Sequence, residues 1–572
     1  MQRPNSLVDI LRWRAIYEPN RLAYRFLKDG EYDEVCVTYK ELDQRASSIG
    51  SLLQTSTNKG DRILLLYPPG LDFIAAYFGA LYAGVIAVPV YPPHPARMEK
   101  TLAVTFRIVA DAKPSAVLLN SSLLDSINVQ PKIKCKFQNL KLLVTDDIEI
   151  NYWHGKWQQP ALIRDDIAFL QYTSGSTSTP KGVMVSHGNL LNNLGVIEEA
   201  MGLSNKSQTV FWLPPYHDMG LIGGILQALY TGYQVTLMPH LMFLQKPVRW
   251  LNAITRFQAT NSGAPNFAYD LCVRSVKPEQ REQLDLSSWG VAFNGAEPIH
   301  NKTMDQFADY FALCGFRKDA FFPCYGLAES TLLASGGLKS RFPLTKNIVK
   351  SELQKNNVVF AQKSNLDTRT MVSSGQNINK QEIRIVDPET LNQCTPDQIG
   401  EVWLSGPSVA QGYWNKPLET KSTFDAYLSN PTEGPYLRTG DLGFMSEGEL
   451  YITGRLKNLV IIDGKNHYPH DIERTVEKSH NDIYPAGCAV FSIENADREG
   501  VIVMAEIQRN HIGTSSEIIT EIRKSVAEHH ALSLHDIKLI IPGSIPKTTS
   551  GKIKHFICKK DYTSGTLKEI TL

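Results

Sequence analysis

The sequence predicts an α/β protein. Its large N-terminal domain is expected to contain mostly parallel, helix-covered sheets and a small β-barrel-like subdomain, and a small, mobile α+β C-terminal domain should follow. At 572 residues the chain is longer than one hydrophobic core normally supports, so several structural units are expected. Short apolar runs alternate with helical patterns over most of the chain, which is typical of parallel sheets. After residue 375 this alternation gives way to closely spaced strand-like runs separated by turn residues.

The first helices and strands follow one another in a regular order. Residues 39–55 have apolar side chains at helical spacing, and Thr38 before them can cap the helix. Residues 62–68 have the pattern of a short buried strand, 72–83 that of an apolar helix, and 85–93 that of a strand running into a proline-rich turn. This rhythm predicts parallel pairing. It recurs at residues 235–239 and 290–295.

The later strands have a different pattern. Residues 382–387, 400–406, 448–454 and 458–463 are strand-like and are separated by turn residues. Sequential strands joined by short turns usually pair antiparallel. We therefore assign this part of the chain to the barrel-like subdomain.

The last part of the chain predicts a domain of its own. We place the large domain at residues 1–456, with an inserted segment at about 358–376, and the small domain at 457–572. The elements predicted in the small domain are a helix near 470–478, strands at 488–493 and 501–507, and a helix near 515–530.

Composition disfavours several classes of protein. The formal net charge is +1, which gives no electrostatic basis for binding nucleic acid or an anionic membrane. The 8 cysteines are scattered without a CxxC pair, which favours a reducing compartment over a zinc site or a disulfide framework. The N-terminal stretch lacks the apolar core of a signal peptide, and the apolar run at 71–90 contains an acid and glycines. We expect a cytoplasmic protein with no nucleic-acid partner and no integral membrane association.

A loop rich in hydroxyls and glycine joins two predicted strands, residues 167–171 and 182–185. Successive backbone N–H groups and a mobile lysine suit a polyphosphate. No Gly-Lys-Ser/Thr sequence occurs, so the loop is not a Walker A motif. The candidate phosphate-binding residues are Thr173, Ser174, Gly175, Ser176, Thr177 and Lys181.

Six more stretches hold polar residues at predicted strand ends or turns. Taken singly, each has an ordinary structural explanation, although strand-end turns of parallel sheets are also where ligands usually bind. The stretches are LPPYHDMGL with His217; NGAEP with Asn294, Gly295, Ala296 and Glu297; FPCYGLAES with Tyr325, Gly326 and Glu329; YLRTGDLG with Asp441; GRLKN with Arg455 and Lys457; and IPKTTSGKIK with Lys552.

In this order, the loop and the six stretches resemble the motifs of the adenylate-forming superfamily. That superfamily contains acyl-CoA synthetases, luciferases, peptide-synthetase adenylation domains and fatty acyl-AMP ligases. The resemblance extends from VTYKELD, residues 37–43, to Lys552. It implies an enzyme that uses ATP and Mg²⁺ to convert a carboxylic acid into an acyl-adenylate, with release of pyrophosphate.

The resemblance also implies a role for each site residue. His217 would orient the substrate carboxylate, and Glu329 would hold Mg²⁺. Lys181 would hold the β- and γ-phosphates, whereas Lys552 would bridge the attacking carboxylate and the α-phosphate. Lys457 would lie at the hinge between the domains. The nucleotide would be bound by Thr173, Ser174, Gly175, Ser176, Thr177, Asn294, Gly295, Ala296, Glu297, Tyr325, Gly326, Asp441 and Arg455.

Within the nucleotide site, the resemblance implies that the backbone of the NGAEP turn covers one face of adenine and Tyr325 the other. Asp441 would accept hydrogen bonds from both ribose hydroxyls, which a carboxylate can do with its two oxygens. Ala328 stands where the common form of the motif has threonine, and fatty acyl-AMP ligases also carry alanine at this position.

Two features resemble fatty acyl-AMP ligases more than acyl-CoA synthetases. The interval between Glu329 and Asp441 is long, which fits an insertion at about 358–376 that forms a short hairpin on the large domain. After the hinge, DGKNHYPHDIE is similar to the pattern of that branch, in which the pocket for CoA would be lost and a phosphopantetheine arm still accepted. We therefore expect a medium- or long-chain fatty acid as substrate. The acceptor would be an acyl carrier protein or a carrier domain of a polyketide or nonribosomal peptide synthase.

Other interpretations stay open. A fatty acyl-CoA synthetase is the nearest alternative, and amino-acid activation lacks an evident partner for an α-amino group. A silent adenylate-binding sensor is more distant, because the lysines and carboxylates named above are intact. The apolar run at 221–230 has two interpretations, the wall of an acyl tunnel or an ordinary core helix.

Overall fold

The structure is a computed structural model that describes residues 3–93, 98–173, 180–362, 367–429, 433–462, 464–495, 498–508, 515–547 and 552–567. In chain order the strands are β1 (Leu22–Leu27), β2 (Glu34–Thr38), β3 (Arg62–Leu66), β4 (Ile86–Val90), β5 (Ala116–Leu119), β6 (Leu142–Val144), β7 (Ile167–Thr173), β8 (Lys181–Ser186), β9 (Gln208–Phe211), β10 (Gln234–Leu237), β11 (Asn261–Ala264), β12 (Val291–Asn294), β13 (Phe321–Gly326), β14 (Leu333–Gly336), β15 (Thr345–Val349), β16 (Thr368–Val372), β17 (Gln376–Asn377), β18 (Glu382–Val386), β19 (Gly400–Ser405), β20 (Leu437–Ser446), β21 (Glu449–Arg455), β22 (Val460–Ile462), β23 (Lys465–His467), β24 (Ile483–Asn495), β25 (Arg498–Ile507) and β26 (Leu534–Ile540).

The helices surround these strands. In chain order they are α1 (Leu7–Tyr17), α2 (Tyr39–Gln54), α3 (Leu71–Ala83), α4 (Met98–Ala112), α5 (Ser121–Asn128), α6 (Pro131–Phe137), α7 (Ile150–His154), α8 (His187–Met201), α9 (Gln227–Thr231), α10 (His240–Gln245), α11 (Val248–Phe257), α12 (Asn266–Ser275), α13 (Pro278–Arg281), α14 (Asn301–Phe311), α15 (Lys350–Leu353), α16 (Pro417–Phe424), α17 (Pro469–Ser479), α18 (Ser515–His530) and α19 (His555–Thr563).

The first sheet of the large domain has the strand order β6-β5-β3-β4-β7-β8. Its neighbours pair parallel except β7 and β8, which form an antiparallel hairpin. Both strands of this hairpin were predicted. The prediction placed Lys181 in the connecting loop, however, whereas the structure makes it the first residue of β8, opposite Thr173.

The second sheet has 13 strands in the order β18-β19-β20-β21-β17-β14-β13-β12-β11-β9-β10-β1-β2. Strands β13, β12, β11, β9, β10 and β1 pair parallel, and β2 closes that side antiparallel. From β14 onward the pairing is antiparallel, and this half corresponds to the predicted barrel-like subdomain. It is continuous with the parallel half through the β13–β14 pair.

The core of the large domain lies between the two sheets. Helix α3 is buried from Phe73 to Ala83, because nearly all of its residues are apolar or small. Helix α2 begins at the predicted cap, where the Thr38 side chain and Glu41 form a reciprocal capping box. These helices pack with side chains from both sheets, including Phe169 of β7 and Phe293 of β12. The two sheets therefore share one hydrophobic core.

The small domain is built on the sheet β24-β25-β26, in which β24 and β25 pair antiparallel and β25 and β26 parallel. Helices α17 and α18 supply Ile472, Val476, Ile518 and Ile522 to its own core. The predicted helices and strands of this region are confirmed. No helix among the described residues is long and apolar enough to cross a lipid bilayer.

Two local predictions are wrong in detail. Residues 458–463 were expected to extend the antiparallel part of the large sheet, but β22 pairs only with β23 in a separate two-stranded sheet. The inserted hairpin was expected within residues 358–376, but β16 pairs with β15, so the hairpin begins upstream of residue 358. In both cases the pairing partner lies outside the stretch that carried the strand pattern.

Candidate active site

A cavity of about 2500 Å³ lies between the large domain and the small domain. Predicted site residues from both domains line it: Thr173, His217, Ala296, Glu297, Tyr325, Gly326, Glu329, Asp441, Arg455 and Lys552. Because they come from strand ends and turns far apart in the sequence, the fold brings together most of the predicted constellation.

His217 and Asp218 directly precede a helical segment, and both line the cavity. His217 Nδ1 lies 2.5 Å from Asp218 Oδ1, and the Met219 backbone N–H donates to the same carboxylate oxygen at 2.7 Å. Burial raises the pKa of Asp218, but His217, the Met219 N–H and Lys552 outweigh it, so the pKa lies below its usual value. Asp218 is therefore ionised near neutral pH and fixes the orientation of the His217 ring.

Lys552 reaches this site from the small domain, and its side chain is accessible from the cavity. Loss of contact with water lowers the pKa of its ammonium group, and the positive charge of Arg455 lowers that pKa further. Asp218, Asp441 and Glu297 act in the opposite direction. Lys552 is thus influenced electrostatically by carboxylates from three elements of the large domain.

Glu297 follows β12 and accepts a hydrogen bond from the Phe267 backbone N–H at 2.6 Å. Burial raises its pKa from 4.5 to about 7, although the Phe267 hydrogen bond and Lys552 act in the opposite direction. The same turn contains Ala296 at φ 67°, a backbone conformation that non-glycine residues rarely adopt. The turn is therefore held by its surroundings, as expected for a backbone that presents a binding surface.

Close packing explains the glycines and the asparagine of the predicted adenine site. A Cβ atom at Gly295 would lie 2.7 Å from the Cys324 carbonyl oxygen, and one at Gly326 would lie 1.7 Å from the Leu332 carbonyl oxygen. Asn294 is fully buried beside Asn266 and does not line the cavity. The first residue of the NGAEP turn therefore supports the turn from behind.

Tyr325, Asp441 and Arg455 form one hydrogen-bonded group. The Tyr325 hydroxyl donates to Asp441 Oδ2 at 2.8 Å, and Arg455 Nε donates to Asp441 Oδ1 at 2.8 Å. Asp441 and Arg455 are partners across β20 and β21, which explains why two motifs that are separate in sequence meet here. Arg455 has a raised pKa, chiefly because the Asp441 carboxylate is so close.

Tyr413, which was not predicted as a site residue, contacts both Glu329 and Lys181. The Tyr413 hydroxyl donates to Glu329 Oε1 at 2.8 Å, and Lys181 Nζ lies 4.8 Å from the centre of the Tyr413 ring. Glu329 itself lies in a single 3₁₀ turn, Ala328–Ser330. Tyr413 therefore connects the predicted metal ligand to the predicted phosphate-binding lysine.

Some predicted residues cannot be placed in this site. Ser174, Gly175, Ser176 and Thr177 lie outside the described residues. Lys457 is exposed in the 3₁₀ turn Leu456–Asn458, between the last strand of the large sheet and β22.

Apolar side chains of the large domain line the part of the cavity next to His217, which we call the apolar channel. Its wall on one side is the π-helix Met219–Leu226, whose Ile225 carbonyl oxygen accepts a hydrogen bond from the Tyr24 hydroxyl at 2.9 Å. Met219 and Gly223 line the cavity, and Phe211 and Phe293 face them from the sheet with ring centres 5.4 Å apart. Sequence reasoning left this run as either the wall of an acyl tunnel or a core helix. The structure packs its apolar residues, such as Leu221 and Leu226, into the core and places Gly223 at the cavity. Its role as the wall of an acyl tunnel stays a prediction. π-Helical turns are rare and are often found at functional sites.

Asp218 and Tyr413 are the site residues that sequence reasoning missed. Asp218 had a signal, because it is an acid directly after His217 in the LPPYHDMGL stretch. Tyr413 had none, since its contact with Glu329 joins residues 84 positions apart.

Two protein-family profiles match this chain. The profile of the AMP-binding enzyme family matches residues 11–414, and that of the Disco-interacting protein 2-like AMP domain matches residues 457–572. The chain belongs to the AMP-binding enzyme family. Enzymes of this family use ATP, and the chain is a ligase of the fatty acyl-AMP ligase branch, as its relatives indicate.

The relatives resemble this AMP-binding enzyme over its whole length. The medium-chain-fatty-acid–[acyl-carrier-protein] ligase JamA of Moorena producens is 43% identical, with 100% of this chain and 97% of JamA covered. A fatty acyl-adenylate ligase of L. pneumophila, solved with acyl adenylate and pyrophosphate, is 44% identical with a TM-score of 0.78, covering 98% and 96% of the two chains. A structure from a study of fatty acyl-adenylate ligases of E. coli and L. pneumophila is 30% identical with a TM-score of 0.87, covering 98% of each chain.

Proposed function

We propose that this enzyme activates a medium- or long-chain fatty acid with ATP and transfers the acyl group to the phosphopantetheine thiol of an acyl carrier protein. The observation that carries the proposal is the single cavity in which Lys552, His217 and Asp218 lie at the mouth of an apolar channel. A carboxylate at that mouth, with its alkyl chain in the channel, is next to charged groups suited to phosphoryl chemistry. The acyl-carrier-protein ligase activity of JamA and the acyl adenylate bound by the L. pneumophila enzyme support the same assignment.

In the first step a carboxylate oxygen attacks the α-phosphorus of ATP, the bond to the β-phosphate breaks, and pyrophosphate leaves. The approach of the two anions costs about 4 kcal/mol at about 4 Å and an effective dielectric constant of about 20. Lys552 offsets this repulsion by contacting both groups, and Lys181 holds the departing phosphates. His217, oriented by Asp218, positions the carboxylate.

The donor set fits Mg²⁺. Among the described residues no cluster of three or more His, Cys, Asp or Glu side chains is found, so a metal in this cavity would rely on few protein ligands. Mg²⁺ is usually held by one or two carboxylates together with substrate phosphates and water, and Glu329 supplies one such carboxylate. When bound, the ion would neutralise phosphate charge. Tyr413 keeps the Glu329 carboxylate in place.

The nucleotide would be held by the turn after β12 and by the group of Tyr325, Asp441 and Arg455. Asp441 already accepts one hydrogen bond on each oxygen, and each oxygen has a further lone pair for a ribose hydroxyl. The ring of Tyr325 faces the cavity for stacking on adenine.

In the second step the carrier thiol attacks the acyl carbonyl carbon, the thiol proton is released, and AMP leaves. Lys552 occupies the space near the acyl-phosphate, so the small domain would rotate to admit the phosphopantetheine arm, with Lys457 near the pivot.

Product analysis tests the function directly. The full chain is incubated with ATP, Mg²⁺ and a panel of fatty acids, alone, with CoA, or with a phosphopantetheinylated carrier protein. We expect acyl-AMP without an acceptor and acyl-carrier protein with one, and little acyl-CoA. Efficient acyl-CoA formation would instead make the chain a fatty acyl-CoA synthetase. No adenylate with any acid would contradict the proposal and favour a nucleotide-binding sensor.

A further inference from the structure

Lys552 stands beside a backbone bridge of the small domain. Lys547 and Ile553 pair antiparallel, which brings two stretches of the chain together. We call residues 545–547 the first leg and residues 552–555 the second leg. Lys552 directly precedes the bridged residue of the second leg. The contacts that hold the second leg therefore also determine where the Lys552 backbone lies.

A buried carboxylate holds the first leg. The Ile545 backbone N–H donates to Glu506 Oε1 at 2.7 Å. Glu506 lies on β25, the central strand of the small-domain sheet, and is 3% exposed. A carboxylate is costly to bury unless it is hydrogen-bonded, and here the bond goes to the first leg. The first leg is thus anchored to the sheet.

A second buried carboxylate holds the second leg. His555 Nε2 lies 2.6 Å from Glu473 Oε1, and the Val490 backbone N–H donates to the same oxygen at 3.0 Å. Because a carboxylate only accepts hydrogen bonds, Nε2 is the donor of the His555 contact. Glu473 lies on α17 and is 8% exposed. Each leg is therefore tied to a buried carboxylate of a different element.

The environment of His555 favours its charged form. Burial lowers the pKa of the imidazole, but the charge and hydrogen bond of Glu473 and a hydrogen bond with the Ile553 backbone outweigh burial, so the pKa lies above its usual value. Hydrogen bonds between charged partners are short and comparatively strong. The contact with Ile553 also links the His555 ring to the residue that follows Lys552.

The position of Lys552 matters because its ammonium group would have to contact two reacting groups at once. His555, Glu473 and Lys552 all belong to the small domain and all line the cavity. Their relative positions are therefore set within one domain, whatever the orientation of the two domains. A displacement of about 1 Å in a group of this kind can lower a rate by about 10²-fold.

We propose that His555 and Glu473 are positioning residues that hold Lys552 in place for adenylate formation. This inference rests on the proposed function, in which Lys552 contacts the substrate carboxylate and the α-phosphate. The pair acts through the backbone of the second leg, from His555 through Ile553 to Lys552. Acyl transfer to the carrier thiol does not use Lys552 in the proposed reaction, so it should not depend on the pair.

The test measures the two half-reactions separately on the full-length enzyme with Mg²⁺. Pyrophosphate release from ATP and decanoic acid reports adenylate formation. Synthetic decanoyl-AMP and a phosphopantetheinylated carrier protein report acyl transfer. In His555→Ala we expect kcat for adenylate formation to fall by about 10- to 100-fold while both KM values change little. Acyl transfer should stay near the wild-type rate.

Two further variants separate positioning from folding. His555→Gln should recover most of the rate of adenylate formation, because its amide nitrogen can donate to Glu473 in place of Nε2. His480→Ala is the matched control, since His480 Nδ1 lies 3.7 Å from Asp482 Oδ2 in a comparably buried pair of the small domain that does not line the cavity. This control should leave both half-reactions unchanged.

Combination with Lys552→Ala shows whether the pair acts through the lysine. On that background His555→Ala should cause no further loss, because the residue that it positions is already gone. A further loss of about tenfold in the double variant would overturn the inference and leave fatty-acid activation intact. So would an unchanged rate in His555→Ala, or an equal loss of both half-reactions in both His555 variants. Absence of adenylate from the wild-type enzyme with a panel of fatty acids would overturn the proposed function as well.

Discussion

In the proposed reaction, Lys552 brings a positive charge from the small domain to the reacting groups. Charges of both signs act on Lys552: Arg455 lowers its pKa, and Asp218, Asp441 and Glu297 raise it. In this setting the pKa of Lys552 is lower than in water. Its charged form is stabilised most when a phosphate and a carboxylate approach together.

Lys552→Ala should therefore impair adenylate formation selectively. Loss of one preorganised charge at a reacting phosphate typically lowers the rate by about 10²- to 10³-fold. We expect pyrophosphate release to fall by that amount while ATP affinity, measured by calorimetry, changes little. Lys560→Ala, at an exposed position of α19, serves as control and should retain full activity. Comparable losses in both variants would argue against a catalytic role for Lys552.

Glu297 makes stability depend on pH. Its pKa is raised from 4.5 to about 7, so the folded protein retains a proton that the unfolded chain releases above pH 4.5. This contribution to stability is complete below pH 4.5 and is lost as the pH rises through 7. Glu297→Gln keeps the acceptor for the Phe267 N–H and has no charge to bury.

The Tm difference between Glu297→Gln and the wild type should therefore be small at pH 5 and should grow in favour of the variant by pH 8. Differential scanning calorimetry at the two pH values measures it, and Glu279→Gln at an exposed position of α13 controls for the loss of one negative charge. A difference that is independent of pH would contradict the assigned direction of the pKa shift.

At the scale of elements, the π-helix Met219–Leu226 forms part of the cavity wall and would shape the proposed acyl channel. Where its wide turns approach the sheet, only small side chains fit. A Cβ atom at Gly223 would lie 3.5 Å from Phe211 and 3.6 Å from Leu332, which is ordinary contact, so alanine fits there. A larger side chain would extend into the channel itself.

Gly223→Leu should shift the preference of the enzyme toward shorter fatty acids. We expect kcat/KM for dodecanoic acid to fall by about 10- to 100-fold, because overpacking costs about 1–3 kcal/mol and the blocked end also loses its contacts. Hexanoic acid should be activated nearly as well as before. The control Gly223→Ala should change neither value much. An unchanged preference for chain length in Gly223→Leu would mean that the alkyl chain takes another path.

Sequence patterns predicted most elements because each pattern was local. The Thr38 cap, the strands on both sides of the phosphate loop, and the helices and strands of the small domain all depend on neighbours a few residues away. The π-helix was predicted only as an apolar helix, because its widened turn depends on contacts such as the Tyr24 hydroxyl on the Ile225 carbonyl. The candidate site was predictable where motifs carry it, and the contact between Tyr413 and Glu329 was not, because it depends on tertiary packing.

At the scale of the whole molecule, the hairpin of β15 and β16 contacts both the large sheet and the small domain through Arg369. Arg369 of β16 donates from Nη2 to the Thr453 carbonyl oxygen at 3.2 Å and forms an ion pair from Nη1 to Asp471 Oδ2 of α17 at 3.1 Å. Its guanidinium also lies 5.0 Å from the centre of the Tyr468 ring. Burial raises the pKa of Asp471, but Arg369 and the surrounding histidines outweigh it, so the carboxylate stays charged.

Arg369→Ala should loosen the small domain, because removing one partner of a partly buried ion pair leaves the other charge uncompensated. We expect backbone amides of α17 to exchange at least about tenfold faster, as measured by hydrogen–deuterium exchange mass spectrometry. The control Arg384→Ala removes the pair with Glu382 on β18 and should leave exchange in α17 unchanged. Equal protection of α17 in wild type and Arg369→Ala would show that other contacts hold the domain.

The position of the cavity between the two domains would also affect what happens between the two proposed chemical steps. An acyl-adenylate is a mixed anhydride that water destroys, and here the small domain forms one wall of the compartment that would hold it. Opening that wall would admit the acceptor and bulk solvent through the same movement. In the proposed reaction, the lifetime of the bound intermediate would therefore be set by the opening rate of the domain interface. An acceptor that docks while the interface opens would capture the acyl group before hydrolysis does.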